Sequence, residues 1–232
     1  KGLLQQAFQM YGHMLSHDVI PNKVTIVCML DACRAHTTFH EALHLHCLIV
    51  DGHLEVDPVV GTSLLNLYAK IGSLKDASSV FNRIYEDVIT WTSMISVYVQ
   101  SGERRMALLL FKQMQLDGVI PDKVTYVSAI MACDNPLALH EGRHVHSQIL
   151  EKRLERDVVV GSALVNMYGK CGCLVNAETI FYQMCHRNVV TWNSLIGVYS
   201  QHGVGPHAFV LFRQMEAEGF LPNKCDNPCI SS

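Results

Sequence analysis

The stretch Val88–Asp122, VITWTSMISVYVQSGERRMALLLFKQMQLDGVIPD, returns as Val189–Asn223, VVTWNSLIGVYSQHGVGPHAFVLFRQMEAEGFLPN. Trp91 matches Trp192, Phe111 matches Phe212 and Pro121 matches Pro222. In the first copy Trp91, Met94, Ile95 and Tyr98 fall at i, i+3, i+4 and i+7, which is one face of a helix. Gly102 ends that helix. Ala107, Leu110, Phe111 and Met114 repeat the spacing, and Gly118 and Pro121 close the unit. The stretch therefore predicts helix, tight turn, helix: an antiparallel hairpin. One such hairpin leaves an apolar face uncovered, so a hairpin that recurs is built to stack on its neighbours.

The segments on either side follow the same grammar. Lys23–Asp57 carries Ile26, Met29, Leu30 and Cys33, then Ala42, Leu45, His46 and Ile49. Lys123–Asp157 answers with Tyr126, Ala129, Ile130 and Cys133, then Gly142, Val145, His146 and Ile149. A shorter kind follows each. Pro58–Asp87 has Gly61, Leu64, Leu65 and Tyr68, then Ala77, Val80, Phe81 and Ile84. Val158–Asn188 has Gly161, Leu164, Val165 and Tyr168, then Ala177, Ile180, Phe181 and Met184. Residues 1–22, with Ala7, Met10, Tyr11, Met14 and Pro21, read as the back part of another unit like Val88–Asp122. Residues 23–223 form six units in one array, and residues 224–232 lack a helical face and read as an irregular or truncated tail. The predicted fold class is all-α: a right-handed superhelical solenoid of antiparallel helix-turn-helix repeats.

Composition narrows the function. The 232 residues are 49% hydrophobic, ample for a folded core. A formal charge of −3 and a pI near 6.5 give no general attraction to phosphate backbones or anionic membranes. No apolar run approaches the roughly 18 residues of a membrane span. Nine cysteines, an odd number in a chain too large to need staples, are expected as reduced thiols packed like small hydrophobes.

The tags V-(I/V)-T-W-(T/N)-S-(M/L)-I at Val88 and Val189, E-G-R-x-V-H at Glu141–His146, and VGSALVNMYGKCG at Val160–Gly172 resemble the pentatricopeptide repeat family, specifically its plant PLS class. Tetratricopeptide repeats share the hairpin but lack these tags. The resemblance covers nearly the whole chain and implies the order L-S-P-L-S-P for the six units. Pro58–Asp87 is one residue shorter than its partner Val158–Asn188.

By that resemblance the chain binds single-stranded RNA at one base per repeat, read by two or three side chains. The family's reading positions are the fifth and last of each P and S unit: Thr62 with Asp87, Thr92 with Asp122, Ser162 with Asn188, and Asn193 with Asn223. The L units, with Val27 and Val127 at the fifth position, are poorly coded. The implied target is G-G-N-A-Y, where Y is a pyrimidine. Second positions, Val59, Ile89, Val159 and Val190, are expected against base faces. Lys70 and Lys170 are expected at phosphates, with Gln100 and Gln201 at the same position of the P units. The resemblance also implies an organellar protein, mitochondrial or chloroplastic, that selects sites on transcripts for C-to-U editing or other processing, with editing-complex proteins as further partners. A helical-repeat scaffold for a protein or peptide is the alternative. On spacing alone Thr92, Ser162 and Asn193 are ordinary helix positions, and Asp122 and Asn223 also suit turns and caps.

No catalytic signature is present. His36, His40 and His44 recur at i, i+4 and i+8, a spacing that suits a metal, but a turn falls between His36 and His40. His40, His44 and His46 return as His140, His144 and His146, which points to repeat packing, and His46 and His146 are expected as satisfied core residues. Cys171-Gly-Cys173 lies in a turn without two further ligands. The C-x-x-C half of a zinc deaminase is absent from the 232 residues, and the one H-x-E, His53-Leu54-Glu55, stands without it. The expectation is a binder without enzymatic activity, cofactor or metal.

Overall fold

The computed structural model describes residues 2–33, 39–54, 57–84 and 87–220, with side chains from residue 6 onward. Asn223, Pro222, His36 and the 224–232 tail lie outside the described residues. Among the described residues the chain is helical throughout, with no strand, and forms two compact units, Lys1–Pro121 and Asp122–Ser232.

The first unit holds α1 (Gly2–Ser16), α2 (Lys23–Cys33), α3 (Phe39–Asp51), α4 (Pro58–Ile71), α5 (Leu74–Phe81), α6 (Val88–Gln100) and α7 (Arg104–Leu116). After α1 the helices pair as α2/α3, α4/α5 and α6/α7. The leading helices α2, α4 and α6 lie side by side, and α3 and α5 each pack on the next leading helix. The second unit holds α8 (Lys123–Ala132), a 3-10 turn at Pro136–Ala138, α9 (Leu139–Glu151), α10 (Val158–Lys170), α11 (Leu174–Gln183), α12 (Val189–Gln201) and α13 (Gly205–Ala217). There α8, α10 and α12 lead in the same way.

The helices stop where the sequence removes the means to continue. Past α6, Gly102 takes φ +81°, a left-handed value glycine adopts without a Cβ clash. The Glu103 amide then donates to the Tyr98 carbonyl at 2.9 Å, satisfying an otherwise orphaned acceptor.

The predicted stripes are the core. Trp91, Met94, Ile95, Ala107, Phe111 and Met114 are buried, and the Phe81 ring meets Trp91 edge-on at 5.0 Å. Trp192 repeats that contact with Phe181 at 4.6 Å. Gly61 and Gly161 occupy the place that tryptophan fills in α6 and α12, for a steric reason. A Cβ on Gly61 would lie 2.3 Å from Ile84 Cγ2, and one on Gly161 would lie 2.6 Å from Met184 Cε. The end of each shorter hairpin thus folds beneath its own leading helix.

Tyrosines at the eleventh place of the leading helices make a recurring polar seam. Tyr68 meets His46 Nδ1 at 2.8 Å, Tyr98 meets Ser78 at 2.9 Å, Tyr168 meets His146 Nδ1 at 3.0 Å, and Tyr199 donates to Glu178 at 2.8 Å. Burial, with help from Asp76 and Cys47, pushes the Tyr68 phenol up to about 12. Burial and Glu178 do the same for Tyr199, to about 12. His46 and His146 are therefore satisfied but only half-buried, because each ring serves the seam at the hairpin boundary.

Candidate functional site

Each leading helix starts from an Asp or Asn cap, and the caps are of two kinds. Asn22, Asp87, Asp122 and Asn188 precede a threonine at the third helical position, and their Oδ1 accepts both its amide and its hydroxyl. The amide distances are 3.1 Å for Thr25, 2.8 Å for Thr90, 2.8 Å for Thr125 and 2.9 Å for Thr191. Asp57 and Asp157 precede valines, so Oδ1 receives two backbone amides: Val59 and Val60 at 3.0 and 3.3 Å, Val159 and Val160 at 2.9 and 3.2 Å. The expected last-position readers Asp87, Asp122 and Asn188 are thus caps as well. One oxygen belongs to the fold, and Oδ2 of Asp87 and Asp122 and Nδ2 of Asn188 lie outside the cap.

The structure brings one expected pair together through a third residue. Ser162 is 7% exposed on α10, with Oγ 2.7 Å from the Val158 carbonyl and 3.2 Å from Thr191 Oγ1. Thr191, fully buried, donates to Asn188 Oδ1 at 2.9 Å. A hydroxyl has one proton, so Ser162 donates to Val158 or to Thr191 and keeps lone pairs for another group. Thr62 is half-buried on α4, and Thr92, on α6, is 8% exposed and not a solvated position. Thr92 and Asp122 belong to different compact units. Asn193 is half-buried on α12, and its Oδ1 is buried with no hydrogen-bond partner among the described residues.

The second-position side chains are apolar and exposed, at 55% for Val59, 65% for Ile89, 57% for Val159 and 61% for Val190. Val24 and Val124 share the trait, so it marks every leading helix. Lys70 is exposed near the end of α4. Lys170 is not a free cation: Nζ lies 3.7 Å from Asp134 Oδ2, and half of its side chain is covered. Gln100 and Gln201 are exposed.

Two features escaped the sequence. The buried threonines Thr90, Thr125 and Thr191 tie cap to helix, although the tag V-(I/V)-T carried the signal for Thr90 and Thr191. A lysine at the first position of two hairpins reaches the last residue of the same hairpin: Lys23 Nζ is 3.6 Å from Asp57 Oδ2, and Lys123 Nζ is 3.1 Å from Asp157 Oδ2. Burial alone would raise the Asp157 carboxyl, but Lys123 and the Val160 and Val159 amides outweigh it and hold it below the usual value.

Among the described residues no cluster of three or more His, Cys, Asp or Glu is placed to hold a metal ion. His40, His44, His140 and His144 are exposed. Cys33, Cys133 and Cys171 are buried, whereas Cys28, Cys47 and Cys185 are exposed, so small-hydrophobe packing describes only part of the set. No described helix is long and apolar enough to cross a membrane.

A profile of the PPR repeat family matches residues 86–134 and 187–225, and a PPR repeat profile matches 62–87 and 162–189. A pentatricopeptide repeat-containing protein of Arabidopsis thaliana is 36% identical over 219 residues, covering 94% of this chain and 30% of the relative. Two further Arabidopsis relatives, each 35% identical, are named chloroplastic (96% of this chain, 36% of the relative) and mitochondrial (94% and 34%). The chain spans about a third of the length of these relatives. Among solved structures, the pentatricopeptide repeat protein PPR10 in complex with an 18-nucleotide psaJ RNA element superposes with a TM-score of 0.80 at 21% identity, covering 97% of this chain and 34% of that one. A likeness at this identity shows the fold, an all-helical repeat array.

Proposed function

This chain belongs to the pentatricopeptide repeat family, and on that footing we propose that it binds single-stranded RNA in a base-specific manner, one base per hairpin, with the leading helices as the reading face. The observation that carries the reading is the Ser162–Thr191–Asn188 connection. It holds a fifth-position side chain and a last-position side chain of one hairpin in a single hydrogen-bonded chain. Because Asn188 Oδ1 is committed to the cap, the group it offers outward is the Nδ2 donor. Ser162 offers acceptor lone pairs. An acceptor beside a donor complements the Watson–Crick edge of adenine, whose exocyclic amine donates and whose N1 accepts.

The same cap logic separates Asp from Asn. Asp87 and Asp122, with Oδ1 in the cap, offer Oδ2, an acceptor that suits the ring N–H of guanine or uracil. With the fifth positions Thr62, Thr92, Ser162 and Asn193, the proposed target is G-G-N-A-Y. Exposed Val59, Ile89, Val159 and Val190 offer flat apolar contact to base faces without choosing among bases. Lys70 is the freer phosphate contact, since Lys170 is shared with Asp134.

The L-S-P-L-S-P order, supported by the alternating hairpin lengths and tags, makes a site-recognition factor for organellar C-to-U editing the specific role we assign, the chemistry being done by a domain or partner outside these residues. The chloroplastic and mitochondrial names of the relatives support an organellar setting. The test is a titration of the chain with short RNAs carrying G-G-N-A-C against U-U-N-A-C. Tighter binding to the first is expected. Equal or undetectable binding to both would favour a scaffold for a protein or peptide instead.

A further inference from the structure

Two of the six hairpins lack a polar fifth residue and have their last residue already engaged. In Lys23–Asp57 and Lys123–Asp157 the fifth residue is Val27 or Val127, which has no hydrogen-bonding group. The last residue, Asp57 or Asp157, has both carboxylate oxygens engaged: Oδ1 by two valine amides and Oδ2 by the lysine at the first position of the same hairpin. The geometry recurs in both units of the molecule. The hairpins that offer a reading pair have Pro58, Val88, Val158 or Val189 at the first position, none of which can pair with a carboxylate. We infer that Lys23 and Lys123 are specificity-determining residues that act by occupation: each holds the outer oxygen of its last-position aspartate and makes its hairpin a silent spacer between reading hairpins.

The inference rests on the coded-binding reading above. In it, Lys123 is the reason that the third base of G-G-N-A-Y is unspecified. Asp157 has the same acceptor as Asp122, withdrawn by a cation 3.1 Å away. The pair is half-exposed, with side chains 48% and 30% accessible, so the lock is a modest one that a competing base must share, not an absolute block.

The experiment uses the 232-residue chain, two variants and four RNAs that differ only at the third base of G-G-N-A-C. Val127→Thr restores a hydroxyl at the fifth position in nearly the same volume. Lys123→Val with Val127→Thr also removes the lock and reproduces the Val88, Thr92, Asp122 set. The wild type is expected to treat the four RNAs alike, Val127→Thr to discriminate by less than about twofold, and the double variant to prefer G by about fivefold, the scale of a surface ion pair. Equal discrimination by the single and double variants overturns the lock. No discrimination by either, with the A preference at the fourth base intact, shows that Asp157 is not a latent reader and also overturns it. Loss of the fourth-base preference in the wild type overturns the coded reading itself, and the inference with it. Both substitutions sit at half-buried or exposed positions, and a melting curve for each variant confirms an intact fold.

Discussion

The Ser162 hydroxyl lies 3.2 Å from that of Thr191, so the leading helix of one hairpin touches the threonine that fastens the cap of the next. Thr191 is thereby shared between stability and choice of base. Replacing it by valine keeps the shape and the backbone amide of the cap but removes the hydroxyl between Ser162 and Asn188. The expected cost is about 1 kcal/mol, read as a lower urea midpoint with an unchanged slope, together with weaker discrimination of A from the other bases. A variant as selective as the wild type would mean that Thr191 serves the cap alone.

Asn188→Asp separates the two roles. Aspartate caps as well as asparagine, and a negative charge at a helix start is favourable, so stability should stay within about 0.5 kcal/mol of wild type or rise slightly. The outward group changes from donor to acceptor. The preferred base at the fourth place of the target should move from A to G, and a titration with the two RNAs measures it.

Gly169 and Gly197 should respond oppositely to alanine. A Cβ on Gly169 would meet Val198 Cγ2 at 2.1 Å and Cγ1 at 2.7 Å, so Gly169→Ala forces α10 and α12 apart and is expected to cost about 1–3 kcal/mol. Gly197, within α12, has nothing within 4 Å of its would-be Cβ. Gly197→Ala should gain about 0.5–1 kcal/mol from helix propensity. Denaturation midpoints for the two proteins, on either side of wild type, decide the matter.

Stability should carry a signature of His146. Burial lowers its pKa below the ordinary 6.5, outweighing the opposite pull of Glu155. The folded chain therefore favours the neutral ring that bonds Tyr168. A depressed folded value means that this contribution is complete above about pH 6.5 and is lost as pH falls through the folded value. Between pH 8 and pH 5, the melting temperature of the wild type should fall more steeply than that of His146→Gln. Parallel curves for the two proteins would contradict the assignment.

The hairpins were legible because their cause is local. Trp91, Met94 and Ile95 share a face through helical spacing alone, and all three are buried. Tyr98, on the same predicted face, is only half-buried because its hydroxyl reaches Ser78 at the hairpin boundary, a pairing that the spacing within one helix does not encode. Gly61 and Gly161 fall on the stripe by spacing, but the reason they are glycines is Ile84 and Met184 arriving from the far end of the hairpin. For the site, the family's reading positions mark Ser162 and Asn188, whereas the tag that contains Thr191 belongs to the following hairpin and does not show that its hydroxyl meets Ser162. The Lys123–Asp157 pair joins the two ends of one hairpin, so it becomes visible only when the chain has turned back on itself.

The shared threonine also decides where such a chain can be cut and rejoined. A graft taken as Val158–Asn188 would leave Thr191 behind and set Ser162 against whatever residue the host supplies. A graft taken as Gly161–Thr191 would carry both proposed readers and the hydroxyl between them. The portable unit of recognition is offset by three residues from the unit of sequence repetition, and recombination or engineering at the repeat boundary would divide it.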